Sequence, residues 1–162
     1  MTTAPAHASS ATPDRTAIRA ELEAARRDYH ELLNRLTRAD WKKPSTNPAW
    51  NVGQLMYHVA MGIGFMPSGI ANAKKGKGFN PPFANFLNVW SVRLLALRAT
   101  RPSCKRKYDE GHTKMLAALD QVKNNEWQMG AKNFGAVHTV ENLFHSVKEH
   151  MDEHAAQIRA AL

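Results

Sequence analysis

Apolar side chains recur along this chain at alternating steps of three and four residues, the period of a helix buried on one face. Ile18, Leu22, Ala25, Tyr29, Leu32 and Leu36 mark one narrow stripe and predict a helix over residues 13–38. Thr12 followed by Pro13 gives it a start signal: a hydroxyl to accept an orphan N–H, then a proline whose missing N–H costs nothing at the first helical position. Pro44 and Pro48 end that helix in a loop. A second stripe, Val52, Leu55, Val59, Ile63 and Met66, predicts a helix from about residue 51 to 75. Asn51 and Gln54 form a capping-box pattern at its start, and Pro67 is a point where it would kink. Gly76, Gly78, Pro81 and Pro82 then make a loop. A third helix is expected over residues 83–99, broken near Pro102 and resuming over 103–122. Residues 124–137, with Gly130 and Gly135, read as loop. Val140, Leu143, Phe144, Val147, Met151 and Ile158 define a last helix that opens on Thr139 and runs almost to Leu162. No segment alternates as a half-buried strand would. The expectation is an all-α four-helix bundle over residues 14–162, preceded by a loose tail at 1–13 rich in Ala, Ser, Thr and Pro.

Composition narrows the function classes. The chain has 162 residues, 22 Lys or Arg against 14 Asp or Glu, and a net charge of +8. The longest apolar run, around residues 86–97, is interrupted by Asn88, Ser91 and Arg93, so no membrane span is expected. The N-terminus has neither the basic nor the apolar region of a secretory signal. Cys104 is the one cysteine, which rules out an intrachain disulfide and points to a reducing compartment, the cytoplasm. The basic clusters Lys74, Lys75, Lys77 and Arg98, Arg101, Lys105, Arg106, Lys107 favour anionic partners. A solvated surface explains them better than nucleic-acid binding, because no zinc-finger or RRM signature accompanies them. Lys105, Arg106 and Lys107 are also the neighbours that would lower the thiol pKa of Cys104, although it has no identified catalytic partner.

The chemistry concentrates in the histidines. His150 and His154 are four apart on the last helix and share the direction of Leu143, Val147 and Ile158, within roughly 40° on a helical wheel. Two imidazoles so spaced reach one metal ion, or else form a hydrogen-bonded core pair. His58 sits at the edge of the second helix's stripe, in a sector with Asn51, Gln54, Gly62 and Phe65 that reads as a cavity wall. Three imidazoles leave positions open on an ion, as catalytic sites do and closed structural zinc sites do not. Gln157 falls near His150 on the wheel and, with Asn51 and Gln54, is a candidate to support the site or touch its ligand. His145 turns to the far side of the helix, His30 reads as a surface residue, and His112 and His138 fall near segment ends. No catalytic side chain can be named: there is no G-x-S-x-G, P-loop or Rossmann pattern, and the acids of the last helix point outward.

The order of these motifs resembles the DinB-like (YfiT-like) superfamily. The matching parts are "RADWKKP" after the first helix, "AWNVGQLMYHVA" opening the second and "HTVENLFHSVKEHMDEHAAQIRAAL" closing the chain. The resemblance implies a four-helix bundle, commonly dimeric, with a divalent metal held by one histidine of the second helix and two of the last. Those positions are His58, His150 and His154. It implies as cofactors one divalent transition metal, zinc or nickel in the first place, and a low-molecular-weight thiol. A metal-dependent thiol S-transferase acting on a small-molecule substrate is therefore the leading expectation. Two alternatives stay open: a non-enzymatic module that binds a small molecule for self-protection, and a damage-response protein that contacts nucleic acid.

Overall fold

The computed structural model describes residues 12–78, 84–133 and 136–162. Its helices are α1 (Arg15–Arg35), α2 (Val52–Ala73), α3 (Ala84–Leu95), α4 (Arg101–Asp120) and α5 (Val140–Arg159), with 3₁₀ turns at Asp40–Lys42 and Ala96–Arg98. A two-stranded antiparallel ribbon, β1 (Gly130–Asn133) and β2 (Ala136–Thr139), lies between α4 and α5, with Gly130 opposite Thr139. The long helices form the bundle: α2 packs on α4 and α5, and α1 packs on the same two. The expected all-α bundle is the observed architecture, with α3 as a fifth, shorter helix against α2. The expected tail at 1–13 falls, through residue 11, outside the described residues, as does the expected start of the third helix at Phe83.

The stripes on α1 and α5 are buried at every predicted position, and on α2 at all but half-buried Met66. Guanidinium groups tie the bundle's ends: Arg15 donates to the Leu119 carbonyl at 2.5 Å and to that of Val122, and Arg101 donates to that of Leu36. Each thus places positive charge where a helix ends in unpaired carbonyls. Helix α4 packs directly on α2 at Gly111, where a Cβ would lie 2.8 Å from Ile63 Cγ2 and 3.0 Å from the Gly64 backbone nitrogen.

Several boundaries differ from the sequence reading. Helix α1 is capped by Asp14, which accepts from Thr16 N at 2.8 Å, and not by Thr12. An aspartate can cap two residues further in, so Pro13 stays outside the helix. Pro102 does not interrupt one long helix but opens a new one. Thr100 is the N-cap, Thr100 and Ser103 form a reciprocal capping box, and Pro102 occupies the first turn, where its missing N–H is tolerated. Pro67 lies inside α2, which continues past it. Residues 130–133 and 136–139 pair as strands where loop was expected. Finally, α3 is apolar on two faces: Val92 is buried, while Phe86, Leu87, Trp90 and Leu94 are more than half exposed. Among the described residues no helix is long and apolar enough to cross a membrane.

Candidate metal centre

Helix α5 opens on Thr139, whose side chain accepts from Asn142 N, and its apolar stripe fixes the helix against α1 and α2. That rotation turns His150 and His154 inward, one turn apart, with their Nε2 atoms 3.1 Å from each other. His58 comes from α2, and its Nε2 lies 3.0 Å from that of His150. The three residues offer nitrogens that all lie within 4.8 Å of one another, the one such cluster of potential ligands among the described residues. His58 is 8% and His154 5% exposed. Two nitrogens each about 2.1 Å from one ion, at tetrahedral or octahedral angles, stand about 2.9–3.4 Å apart. The observed spacings therefore suit a shared divalent cation.

Electrostatics favours the same chemistry. Burial first, and then the neighbouring charges of His150 and His154, would push the His58 imidazolium down to about 3. Burial, followed by His154, takes His150 down to about 4. Both rings are therefore neutral near pH 7 and present lone pairs. The tautomer of His154 is set by its surroundings. Its Nδ1 lies 2.8 Å from Gln157 Oε1, an acceptor, so the proton belongs on Nδ1 and the lone pair on Nε2.

The loop between α1 and α2 closes this end of the site. Asn47 Nδ2 donates to the same Gln157 oxygen at 3.3 Å, and Thr46 Oγ1 donates to the Gln157 carbonyl at 3.3 Å. Ser45 Oγ donates to the Trp50 carbonyl at 2.7 Å, and Ala49 N donates to Asn47 Oδ1 at 2.9 Å. The loop so held stacks Trp50 on His58, with centroids 4.4 Å apart and planes 26° from parallel. Trp50 also meets His154 edge-on at 6.4 Å. On α2, Gly62 leaves room for His150: a Cβ there would sit 3.2 Å from His150 Cε1.

The structure brings His58, His150, His154 and Gln157 together. It places Asn51 and Gln54 at the start of α2, each accepting from the other's backbone N–H, at 3.0 and 2.8 Å. Among the described residues neither is hydrogen-bonded to a histidine of the cluster. Sequence reasoning missed Trp50 and Asn47. Trp50 did leave a signal, as a large apolar residue immediately before an N-cap. Asn47 lies in a loop without periodicity and left none. Of the other histidines, His112 and His30 are more buried than expected, while His145 lies outside the cluster as expected. His112 is 3% exposed near Glu23, half-buried His30 faces Asp109 at 2.9 Å, and His145 reaches Glu21 on α1 at 2.6 Å. Cys104 is fully buried, and burial pushes its thiol up to about 11 despite the basic residues that follow it.

Three imidazoles from two helices, backed by an amide and a tryptophan, can hold a divalent cation and leave part of its coordination sphere to a ligand. Comparison with known proteins agrees with the architecture. The sequence pattern of the DinB superfamily matches residues 21–158. No curated protein matches the chain. Among solved structures, the crystal structure of the mycothiol-dependent maleylpyruvate isomerase aligns with a TM-score of 0.72 at 12% identity, covering 90% of this chain and 61% of that one. A histidine-to-alanine mutant of the mycothiol-dependent maleylpyruvate isomerase aligns with a TM-score of 0.73 at 11% identity, covering 93% and 62%. The chain thus spans less than two thirds of the length of these structures, and the likeness is one of fold.

Proposed function

The chain belongs to the DinB superfamily, and from that premise we propose that it is a metal-dependent enzyme that transfers or rearranges a small molecule with the help of a low-molecular-weight thiol. The observation that carries this reading is the convergence of three buried or half-buried imidazole Nε2 atoms at spacings of 3.0 and 3.1 Å. His58, His150 and His154 would hold one divalent transition metal, zinc or nickel in the first place, although imidazole also suits copper and iron. When bound, such an ion supplies a thiolate or hydroxide at neutral pH, by lowering the pKa of a thiol or water. The chain's own residues do the positioning. Gln157 holds the proton of His154 on Nδ1, Asn47 holds Gln157, and Trp50 covers His58 and keeps water from that side. Asn51 and Gln54 keep a place in the proposal as residues at the start of the helix that carries His58, with their side-chain oxygens already engaged by each other's backbone N–H.

The fold shared with a mycothiol-dependent enzyme supports the thiol as cofactor class. A buried, unpaired cysteine supports a cytoplasmic setting. The proposed assembly is a homodimer. The test is metal content by mass spectrometry on untagged protein, beside His150→Ala. About one transition metal per chain, lost in the variant, is the expected result. Metal in neither protein, even after reconstitution, would leave a small-molecule binding module as the better reading.

A further inference from the structure

Of the three clustered imidazoles, one has its outer nitrogen anchored by protein: His154 Nδ1 on Gln157. The buried His58 Nδ1 has no partner, and no described residue hydrogen-bonds His150 Nδ1. A ring that presents Nε2 to a cation must carry its proton on Nδ1, and that proton needs an acceptor. Beside His150 lies a small, partly open cavity of about 10 Å³, lined by Val59, Ile63, Met66, Tyr108, Val147 and His150. That volume is about what one water occupies, and a water needs polar partners to stay. Tyr108 is fully buried in α4, and its hydroxyl is unpartnered. Its ring is fixed by stacking on Tyr29, with centroids 4.1 Å apart and planes 13° from parallel. A buried phenol without a hydrogen bond is costly, and it is the group that can retain a water in an otherwise apolar wall.

We infer that Tyr108 is a positioning residue for His150, acting through a single water in this cavity that accepts from His150 Nδ1 and hydrogen-bonds the Tyr108 hydroxyl. The inference rests on the proposed metal centre but concerns a different helix and a different atom. It gives His150 the outer anchor that Gln157 gives His154. It also assigns a role to a polar atom that the packing of α2, α4 and α5 otherwise strands in the core.

The test compares wild type, Tyr108→Phe and Val147→Ile. The first variant removes only the hydroxyl. The second adds a methylene to the cavity wall and takes the water's space. Zn²⁺ affinity is read by competition with a chromophoric chelator, the ligand field by the visible spectrum of Co²⁺-loaded protein, and folding by thermal melting of the metal-free form. Both variants are expected to bind Zn²⁺ roughly 10- to 100-fold more weakly, the usual effect of losing an outer-shell partner, and to share a shifted Co²⁺ spectrum. Wild-type affinity and spectrum in Tyr108→Phe would overturn the inference, as would a change in melting alone, which marks a structural role. If wild type takes up no metal, the proposed function fails first. A high-resolution crystal structure of the metal-free protein then decides the inference: a water within hydrogen-bonding distance of Tyr108 Oη and His150 Nδ1 sustains it, and a dry cavity ends it.

Discussion

Gly62 has no side chain because His150 needs the space, and the same crowding explains how the site responds to acid. His58 and His150 are pressed together by α2 and α5, so a proton on either meets low dielectric and a neighbouring imidazole. In the unfolded chain both titrate near 6.5. Below that pH the unfolded state binds more protons than the folded one, so stability falls as pH drops, until the folded rings titrate near 4 and 3. Metal-free protein should therefore lose on the order of a few kcal/mol between pH 7 and 5. Urea unfolding at the two pH values checks this, and His58→Phe should flatten the dependence. A wild-type stability that does not change between those values would mean that the rings are not buried as described. His150 and His154 were legible from spacing and shared direction; His58, at the edge of its stripe, was joined to them by the family resemblance. The contact of Gln157 was not legible: a helical wheel shows its direction beside His150 but hides its height along α5, and three residues' separation puts it on His154.

At the level of elements, periodicity carried α1, α2 and α5, because each buries one stripe against two neighbours. The ribbon escaped notice for the opposite reason: its strands are four residues long, and β2 shows no alternation of buried and exposed positions. Pro102 by itself suggests a break in one helix, although Thr100 and Ser103 spell out a new start. The glycine contact between α4 and α2 is a sharper test of packing. Alanine is the better helix former by about 1 kcal/mol. Gly111→Ala should nonetheless destabilise the protein, by about 1–3 kcal/mol, because its Cβ would meet the Ile63 side chain at 2.8 Å and the α2 backbone of Gly64 and Ile63 at 3.0 and 3.1 Å, and the backbone cannot yield. A denaturant midpoint at or above that of wild type would refute the packing argument. Helix α3 bears on the proposed homodimer. Its outward Phe86, Trp90 and Leu94 form a stripe that one more copy of the chain would cover. We expect Leu94→Asp to convert a dimer into a monomer by light scattering without unfolding it. A monomeric wild type would remove the dimer.

Across the whole molecule, charge is segregated along the chain. Between Asp40 and Asp109 lie eleven Lys or Arg and no Asp or Glu, although the chain has 14 acids in all. That span includes Trp50, His58 and α3, whereas the acids that do pair, such as Glu21, Asp120 and Asp152, belong to α1, α4 and α5. One wall of the site therefore comes from a strongly cationic part of the chain, which draws in anions by long-range attraction. Association of an anionic thiol should slow by roughly tenfold when salt shortens the Debye length from about 10 Å to a few ångströms. Stopped-flow binding at low and high sodium chloride measures this, and an unchanged rate would assign the cations to solubility alone.

The buried Cys104 has a consequence of its own for such chemistry. An enzyme that handles thiols and electrophiles is exposed to modification by its own substrates, and a reactive surface cysteine would be consumed in ordinary turnover. Here the chain's single sulfhydryl is sealed in the core and held protonated. In the folded protein that thiol is thereby shielded from electrophiles, and its alkylation becomes a built-in gauge of how often the bundle opens.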